Sequence, residues 1–246
     1  MALNRQAMRQ HWQRRSELLR RQLVVFWLRA TDRPHPAQVV MVDGQPLLHL
    51  PKVFSPQSFT TALVLRNRQR LQGQRVLEVG CGAGALATLA GPLTRTFVAT
   101  DISPEAVHNT RLNAQWHGAS QVTVLQADVL SGVEGTFDLV VFNAPFFPGR
   151  ARNEADRKWL GDDGRVLTAF LGDVRRVLAQ GGKIWLTHSD VADETAFFAL
   201  LRQHDMNWRQ IDARDIWIET FKLYEVVPAD SHPIPGVGPS QGMNNT

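Results

Sequence analysis

The sequence predicts a doubly wound α/β domain with a mostly parallel sheet, preceded by a helix and a hairpin. Three observations carry that prediction. Between Arg75 and about Asp190, short apolar runs alternate with stretches of helical length, an order that folds into parallel βαβ units. The run Val76–Ala90 passes from an apolar strand through Gly80, Gly82 and Gly84 into an alanine-rich helix. A chain turns that sharply only where positive φ and close ligand approach are tolerated, as at a nucleotide-cradling turn. Finally, successive apolar runs end at Glu78, Asp101, Asp128 and Asn143, which sets polar groups along one carboxyl edge of the sheet.

Taken in order, residues 1 to about 34 read as a helix, with Trp12, Leu19, Leu23 and Phe26 at near-helical spacing and a stop before Pro34 and Pro36. Its basic residues (Arg5, Arg9, Arg14, Arg15, Arg20, Arg21) either track phosphates or form a solvated face, and the second reading is preferred. Val39–Val42 and Gln45–Leu50 flank Asp43-Gly44, a hairpin signal. After the Ser55-Pro56 break, Gln57 to about Arg70 carries a helical period. Further helices are expected at Gly84–Leu93, Pro104–His117, Gly164–Ala179 and Ala192–Gln203, and strands at Thr96–Thr100, Val122–Leu125, Phe137–Phe142 and Lys183–Thr187. Trp208–Ile211 and Phe221–Val227 lack a helix-length connection, so they pair as a hairpin that brings an antiparallel strand into the sheet. The Pro- and Gly-rich tail reads as a flexible end. The organisation expected is an extension over 1–52, one α/β domain over 53–228 and a tail over 229–246.

Composition narrows the class. With 43% hydrophobic residues in 246, the chain can build one large core. No apolar run approaches a membrane span, and the start lacks the apolar core of a secretory signal. Cys81 is the single cysteine, which excludes an intrachain disulfide and fits a cytoplasmic setting. Lying inside the glycine turn, it reads as a packing residue rather than a reactive thiol. The pI of about 9.8 accompanies a net charge of only +4, so it is a weak signal for nucleic acid. Histidines show neither H-x-H nor H-E-x-x-H spacing, and no metal site is expected.

The glycine spacing chooses the ligand. A dinucleotide fingerprint is G-x-G-x-x-G, whereas here the glycines alternate and Glu78 stands two residues ahead of the first. This resembles the E/D-x-G-x-G-x-G motif of class I S-adenosylmethionine-dependent methyltransferases. The resemblance runs from about Val53 to Val227 and implies a Rossmann-like, seven-stranded methyltransferase sheet with S-adenosylmethionine as co-substrate. It places Glu78, Gly80, Gly82 and Gly84 around the methionine end, Asp101 on the ribose and Asp128 at the adenine. The adjacent Ile102 and Val129 join the cofactor-binding set.

Asn143-Ala144-Pro145-Phe146 narrows the reaction. It resembles the N-P-P-Y/F motif of methyltransferases acting on planar nitrogen, the adenine methylases and release-factor glutamine methyltransferases among them. Asn143 and the Ala144 carbonyl are then acceptors for an NH₂ group, and Phe146 is the platform on which its plane packs. Ala144 replaces the first proline, which keeps the carbonyl but gives up proline's fixed φ. Weaker substrate candidates are Phe54 and Thr60 before the core, Trp159 in the charged loop after the motif, and His188 and Asp190 beyond the fifth core strand. The last two either touch substrate, act as a base, or mark a solvated strand end. Arg150, Arg152, Arg157 and Lys158 either grip an acidic group or pair with Glu154, Asp156, Asp162 and Asp163.

Together these imply methylation of a planar or amine nitrogen on a small molecule, a protein amide or a nucleobase, with nucleic acid not favoured and no membrane partner. Two rival readings share the fold. One is intramolecular closure of S-adenosylmethionine to azetidine-2-carboxylate with release of methylthioadenosine, which the altered N-A-P-F motif suggests. The other is a non-catalytic binding partner that retains the cofactor site.

Overall fold

The structure is a computed structural model that describes residues 35–146, 160–216 and 219–231, together with Leu23 and Arg150. Leu23 is helical. The remainder of the expected N-terminal helix with its arginines, Trp159 with Arg152, Arg157 and Lys158, and the tail from 232 onward lie outside the described residues.

A short antiparallel pair, β1 (Gln38–Val42) and β2 (Gln45–His49), precedes the main sheet. Asp43 and Gly44 take φ of 49° and 77°, the paired left-handed conformation of a tight two-residue hairpin turn. The main sheet contains β3 (Arg75–Val79), β4 (Thr96–Asp101), β5 (Val122–Gln126), β6 (Phe137–Phe142), β7 (Leu178–Ser189), β8 (Met206–Ile216) and β9 (Glu219–Pro228). Their order is β5-β4-β3-β6-β7-β9-β8, all parallel except β9, which runs against both β7 and β8. The order reverses between β3 and β6. In an open α/β sheet such a reversal opens a crevice at the carboxyl ends of the two strands.

The helices follow from patterning and punctuation. α1 (Phe59–Arg66) starts where the Ser58 hydroxyl accepts the Thr61 N–H at 3.0 Å. It is shorter than the 57–70 expected, because the Asn67 amide turns back to Leu63 O and across to Asp212, leaving only a 3₁₀ turn over Arg68–Leu71. α2 (Ala85–Ala90) likewise gives way to a 3₁₀ turn at Gly91-Pro92, since proline cannot extend the helical ladder. α3 (Pro104–Trp116) is capped by Ser103. α4 (Arg165–Val177) buries Leu167, Phe170, Leu171, Val174 and Val177 on one stripe, each worth about 1.5–3 kcal/mol when fully enclosed. α5 (Glu194–Gln203) is capped by Asp193. The final strands are longer than the two apolar runs suggested, and β7 begins at Leu178, so the Gly181-Gly182 irregularity lies inside it.

The hairpin is tied to the domain by side chains. On α3, Asn109 and Asn113 are fully buried. Their amide oxygens accept the Leu50 and Leu48 N–H groups, both at 2.8 Å, and their nitrogens donate to Leu48 O at 2.9 and 2.8 Å. The β2 edge is thereby satisfied without another strand. The i, i+4 spacing of these asparagines was visible in the sequence, but nothing there distinguished it from a polar surface.

Candidate functional site

The glycine turn is built by backbone. Gly80, Gly82 and Gly84 have φ of 73°, 55° and 77°. The Gly80 and Cys81 N–H groups both donate to Thr100 O, at 2.8 and 2.9 Å, and Gly82 N–H donates to Asp101 Oδ2 at 2.9 Å. Beneath the turn the Thr110 hydroxyl sits 3.0 Å from Gly82 O and 3.2 Å from Cys81 Sγ. Burial, followed by the negative charges of Asp101 and Glu78, pushes the Cys81 thiol well up. That keeps the thiol protonated and inert, in keeping with a packing role.

Two carboxyl groups face this turn in different states. Asp101 is held by N–H groups of Gly82 and Ser103, which work against the upward push of burial on its pKa without cancelling it. Glu78 is buried, and its Oε2 has no hydrogen-bond partner among the described residues. Burial first, then the Asp101 charge, raises its pKa well above the ordinary carboxylate range, against a smaller opposing pull from the Ala87 N–H. A buried oxygen with no donor is a demand for a cation or an N–H.

A cleft of about 410 Å³, counting its open mouth, is lined by Phe54, Ser55, Pro56, Thr61, Glu78, Gly80, Cys81 and Asn143 among others. Phe54 crosses above the turn, where a Cβ at Gly82 would lie 3.3 Å from its Cβ. Thr61, rather than Thr60, lines the cleft; Thr60 is buried beside the Ser58 cap. Further along the edge, Ile102 is 46% exposed. Asp128 is exposed, and Val129 has φ of 53°. A β-branched residue in the left-handed region costs about 1–3 kcal/mol and is held only where the surroundings impose it.

At the other wall, Phe142 pairs with Leu186, and one step beyond them Asn143 meets Thr187. The Thr187 hydroxyl donates to Asn143 Oδ1 at 2.5 Å. Ala144 is buried in the core, and Phe146 is half-buried with its ring centroid 5.5 Å from that of His188. His188 is 3% exposed and stacks on Phe197 at 4.2 Å, so it packs under the aromatic wall and does not mark a solvated strand end. Asp190 accepts the Thr220 N–H and donates its own N–H to Thr220 O, which ties β7 to β9. It too is occupied by structure. Thr187 was missed in the sequence, where it appeared as one more β-branched strand residue.

The comparisons with known proteins agree with this architecture. The family model described as methyltransferase small domain matches residues 45–212. A release factor glutamine methyltransferase of Deinococcus radiodurans is 35% identical over 136 residues, 50% of this chain and 49% of that protein. A ribosomal RNA small subunit methyltransferase C of Pseudoalteromonas translucida is 28% identical over 159 residues, 63% of this chain and 43% of that one. The chain thus spans about half the length, or less, of these curated relatives. Among solved structures, the 16S rRNA N2 methyltransferase of T. thermophilus, in complex with AdoMet and guanosine, shares the fold with a TM-score of 0.60. Its identity is 21%, over 80% of this chain and 51% of that one. No helix among the described residues is long and apolar enough to cross a membrane.

Proposed function

The chain belongs to the methyltransferase small domain family, and we propose that it methylates a planar NH₂ nitrogen, a carboxamide before other acceptors, at Asn143. S-adenosylmethionine is its co-substrate. The observation that carries the acceptor reading is the convergence of Glu78, Gly80 and Asn143 on one cleft at the strand-order reversal. The carboxamide preference draws support from the glutamine methyltransferase relative.

The residues present fit the co-substrate. Glu78 Oε2 lacks a donor, and the ammonium of a methionine group would supply one. Asp101 retains lone pairs for ribose hydroxyls beyond the two N–H groups it accepts. Ile102 offers an exposed apolar face, and Asp128 with Val129, at the end of the next strand, would meet the adenine. Bound there, the co-substrate supplies an electrophilic methyl on sulfur. Transfer is an in-line displacement, so the task of the protein is orientation. Asn143 Oδ1 and the Ala144 carbonyl each accept one N–H of the incoming NH₂ group, which turns the nitrogen lone pair out of conjugation and toward the methyl, and the proton that the methylated nitrogen gives up leaves to solvent through the open mouth of the cleft. Phe146 covers the plane of that group.

The test is product analysis after incubation with S-adenosylmethionine and an acetylated glutaminyl peptide, with guanosine and a cofactor-only reaction alongside. S-adenosylhomocysteine and a singly methylated peptide are expected. Asn143→Ala is expected to lower turnover by roughly 100-fold or more while cofactor affinity changes by less than about threefold. Methylated guanosine with unmodified peptide would replace the amide acceptor by a nucleobase. Methylthioadenosine with no acceptor present would replace transfer by cyclisation.

A further inference from the structure

We infer that Thr187 is a positioning residue for the transfer, orienting the side-chain amide of Asn143. The inference rests on the acceptor reading given above.

Thr187 lies in the buried stretch Ile184–Ser189 of β7 and is 1% exposed. Its neighbours Ile184, Trp185 and Leu186 are apolar, and valine would fill the same volume with good strand propensity. A hydroxyl buried here costs free energy unless it is paired. Its hydrogen-bond partner is Asn143 Oδ1, 44 residues away in sequence and 2.5 Å away in space. The Asn143 amide turns its oxygen toward Thr187, and because an amide oxygen only accepts, the hydroxyl is the donor in this pair. A carbonyl oxygen carries two lone pairs. With one fixed on Thr187, the other is left for an N–H in the cleft that Asn143 lines.

The backbone of the motif is braced from the other side. Ala144 is held in the core, and Gly161 lies so close to Pro145 that a Cβ at 161 would collide with the Pro145 carbonyl oxygen. The tetrapeptide is therefore fixed by its surroundings, whereas a proline at 144 would have restricted it from within. Of these braces, only Thr187 acts on the functional side chain.

The test compares Thr187→Val with Thr187→Ser by three readouts. These are the side-chain amide resonances of Asn143, identified by their loss in Asn143→Ala, the Kd for S-adenosylmethionine, and turnover with the acetylated glutaminyl peptide. Thr187→Val is expected to shift the Asn143 resonances and lower kcat about tenfold, the worth of one neutral hydrogen bond, with cofactor Kd within about twofold. Thr187→Ser restores both resonances and kcat to within about threefold of the wild type. Unchanged resonances and kcat in Thr187→Val would overturn the inference, as would a serine variant no better than the valine one. If Thr187→Val no longer binds cofactor, Thr187→Ala takes its place: serine active and alanine impaired supports the role, and equal activities overturn it. A wild type that binds cofactor but methylates no acceptor defeats the proposed function, while the resonance comparison still decides whether Thr187 orients Asn143.

Discussion

On the β3–β4 side the cleft is built around main-chain N–H groups: Gly80 and Cys81 N–H on Thr100 O, Gly82 N–H on the Asp101 carboxylate, and positive φ at three alternating positions. On the β6–β7 side they are fixed by side chains: Thr187 on Asn143, and His188 against Phe146 and Phe197. A backbone-built wall resists substituents, by positive φ at Gly80, Gly82 and Gly84 and, at Gly84, because the space a side chain needs is already filled. A side-chain-built wall changes its chemistry with one substitution and keeps its fold. Within this cleft, the wall read as the cofactor side is the rigid one and the wall read as the acceptor side is the adjustable one.

The largest expected effect tests that rigidity. At Gly84 a Cβ would fall 2.7 Å from both Cγ2 and Oγ1 of Thr110 and 2.9 Å from its Cα, with φ at +77°. Gly84→Ala is expected to destabilise the protein by about 2–4 kcal/mol, from backbone strain plus displacement of α3. At Gly80 the nearest atom is a Phe142 ring carbon at 3.7 Å, so Gly80→Ala meets only the φ penalty of about 1 kcal/mol. Urea denaturation of both variants separates the two contributions. Equal losses would mean that close packing on Thr110 contributes nothing to the turn.

A smaller effect distinguishes the two carboxyl groups of the rigid wall. Glu78 has a folded pKa raised well above its unfolded one, by burial and then by Asp101. Its contribution to the stability of the cofactor-free protein is therefore fully present below the unfolded pKa and is lost as pH rises through the folded value. Affinity for a cationic ligand runs the other way and strengthens as the carboxylate forms over the same window. Glu78→Gln is expected to flatten both dependences and to weaken S-adenosylmethionine binding by about tenfold at the upper end of that window. A residual slope from Asp101, raised in the same direction but supported by two N–H groups, would remain. Calorimetric titration across pH reads both slopes. A variant as steep as the wild type would remove Glu78 from the binding equilibrium.

The same division explains what was legible in the sequence. The parallel sheet, its order reversal and the placement of Glu78, Gly80 and Asn143 in one cleft were readable, because alternating glycines and strand-end polar residues are local signals. Asp43-Gly44 was readable for the same reason. Thr187, Asn109 and Asn113 were not, since each acts on a partner 44 to 65 residues away and its own neighbourhood is that of an ordinary strand or helix. For His188 and Asp190 the sequence left substrate contact, a base and a solvated strand end open, because it marks the end of a strand but not what packs over it. Thr60 and Thr61 differ by one helical position, below what periodicity resolves near a cap.

The smallest expected effect comes from the opposite end of the same two strands and bounds the comparison. Where β3 and β6 begin, Asp138 accepts from the Arg75 backbone N–H at 2.9 Å and from its guanidinium at 2.6 Å. The Arg75 hydrogen bonds hold the Asp138 carboxyl below its usual range, although both side chains are more than a third exposed and solvent screens the pair. With the folded pKa depressed, the stabilisation exists above the unfolded value and is lost as pH falls through the folded one. Asp138→Asn should therefore lower the unfolding midpoint slightly near neutral pH, by less than Gly80→Ala does, and the difference should vanish in acid. Cofactor Kd and kcat should stay at wild-type values, because the ladder from Val76 to Val79 separates this pair from the cleft. Had the cleft depended on the stiffness of these strands as a whole, a change at their start would be felt in kcat. An unaltered kcat in Asp138→Asn, beside a reduced one in Thr187→Val, would assign the orientation of Asn143 to its immediate neighbour.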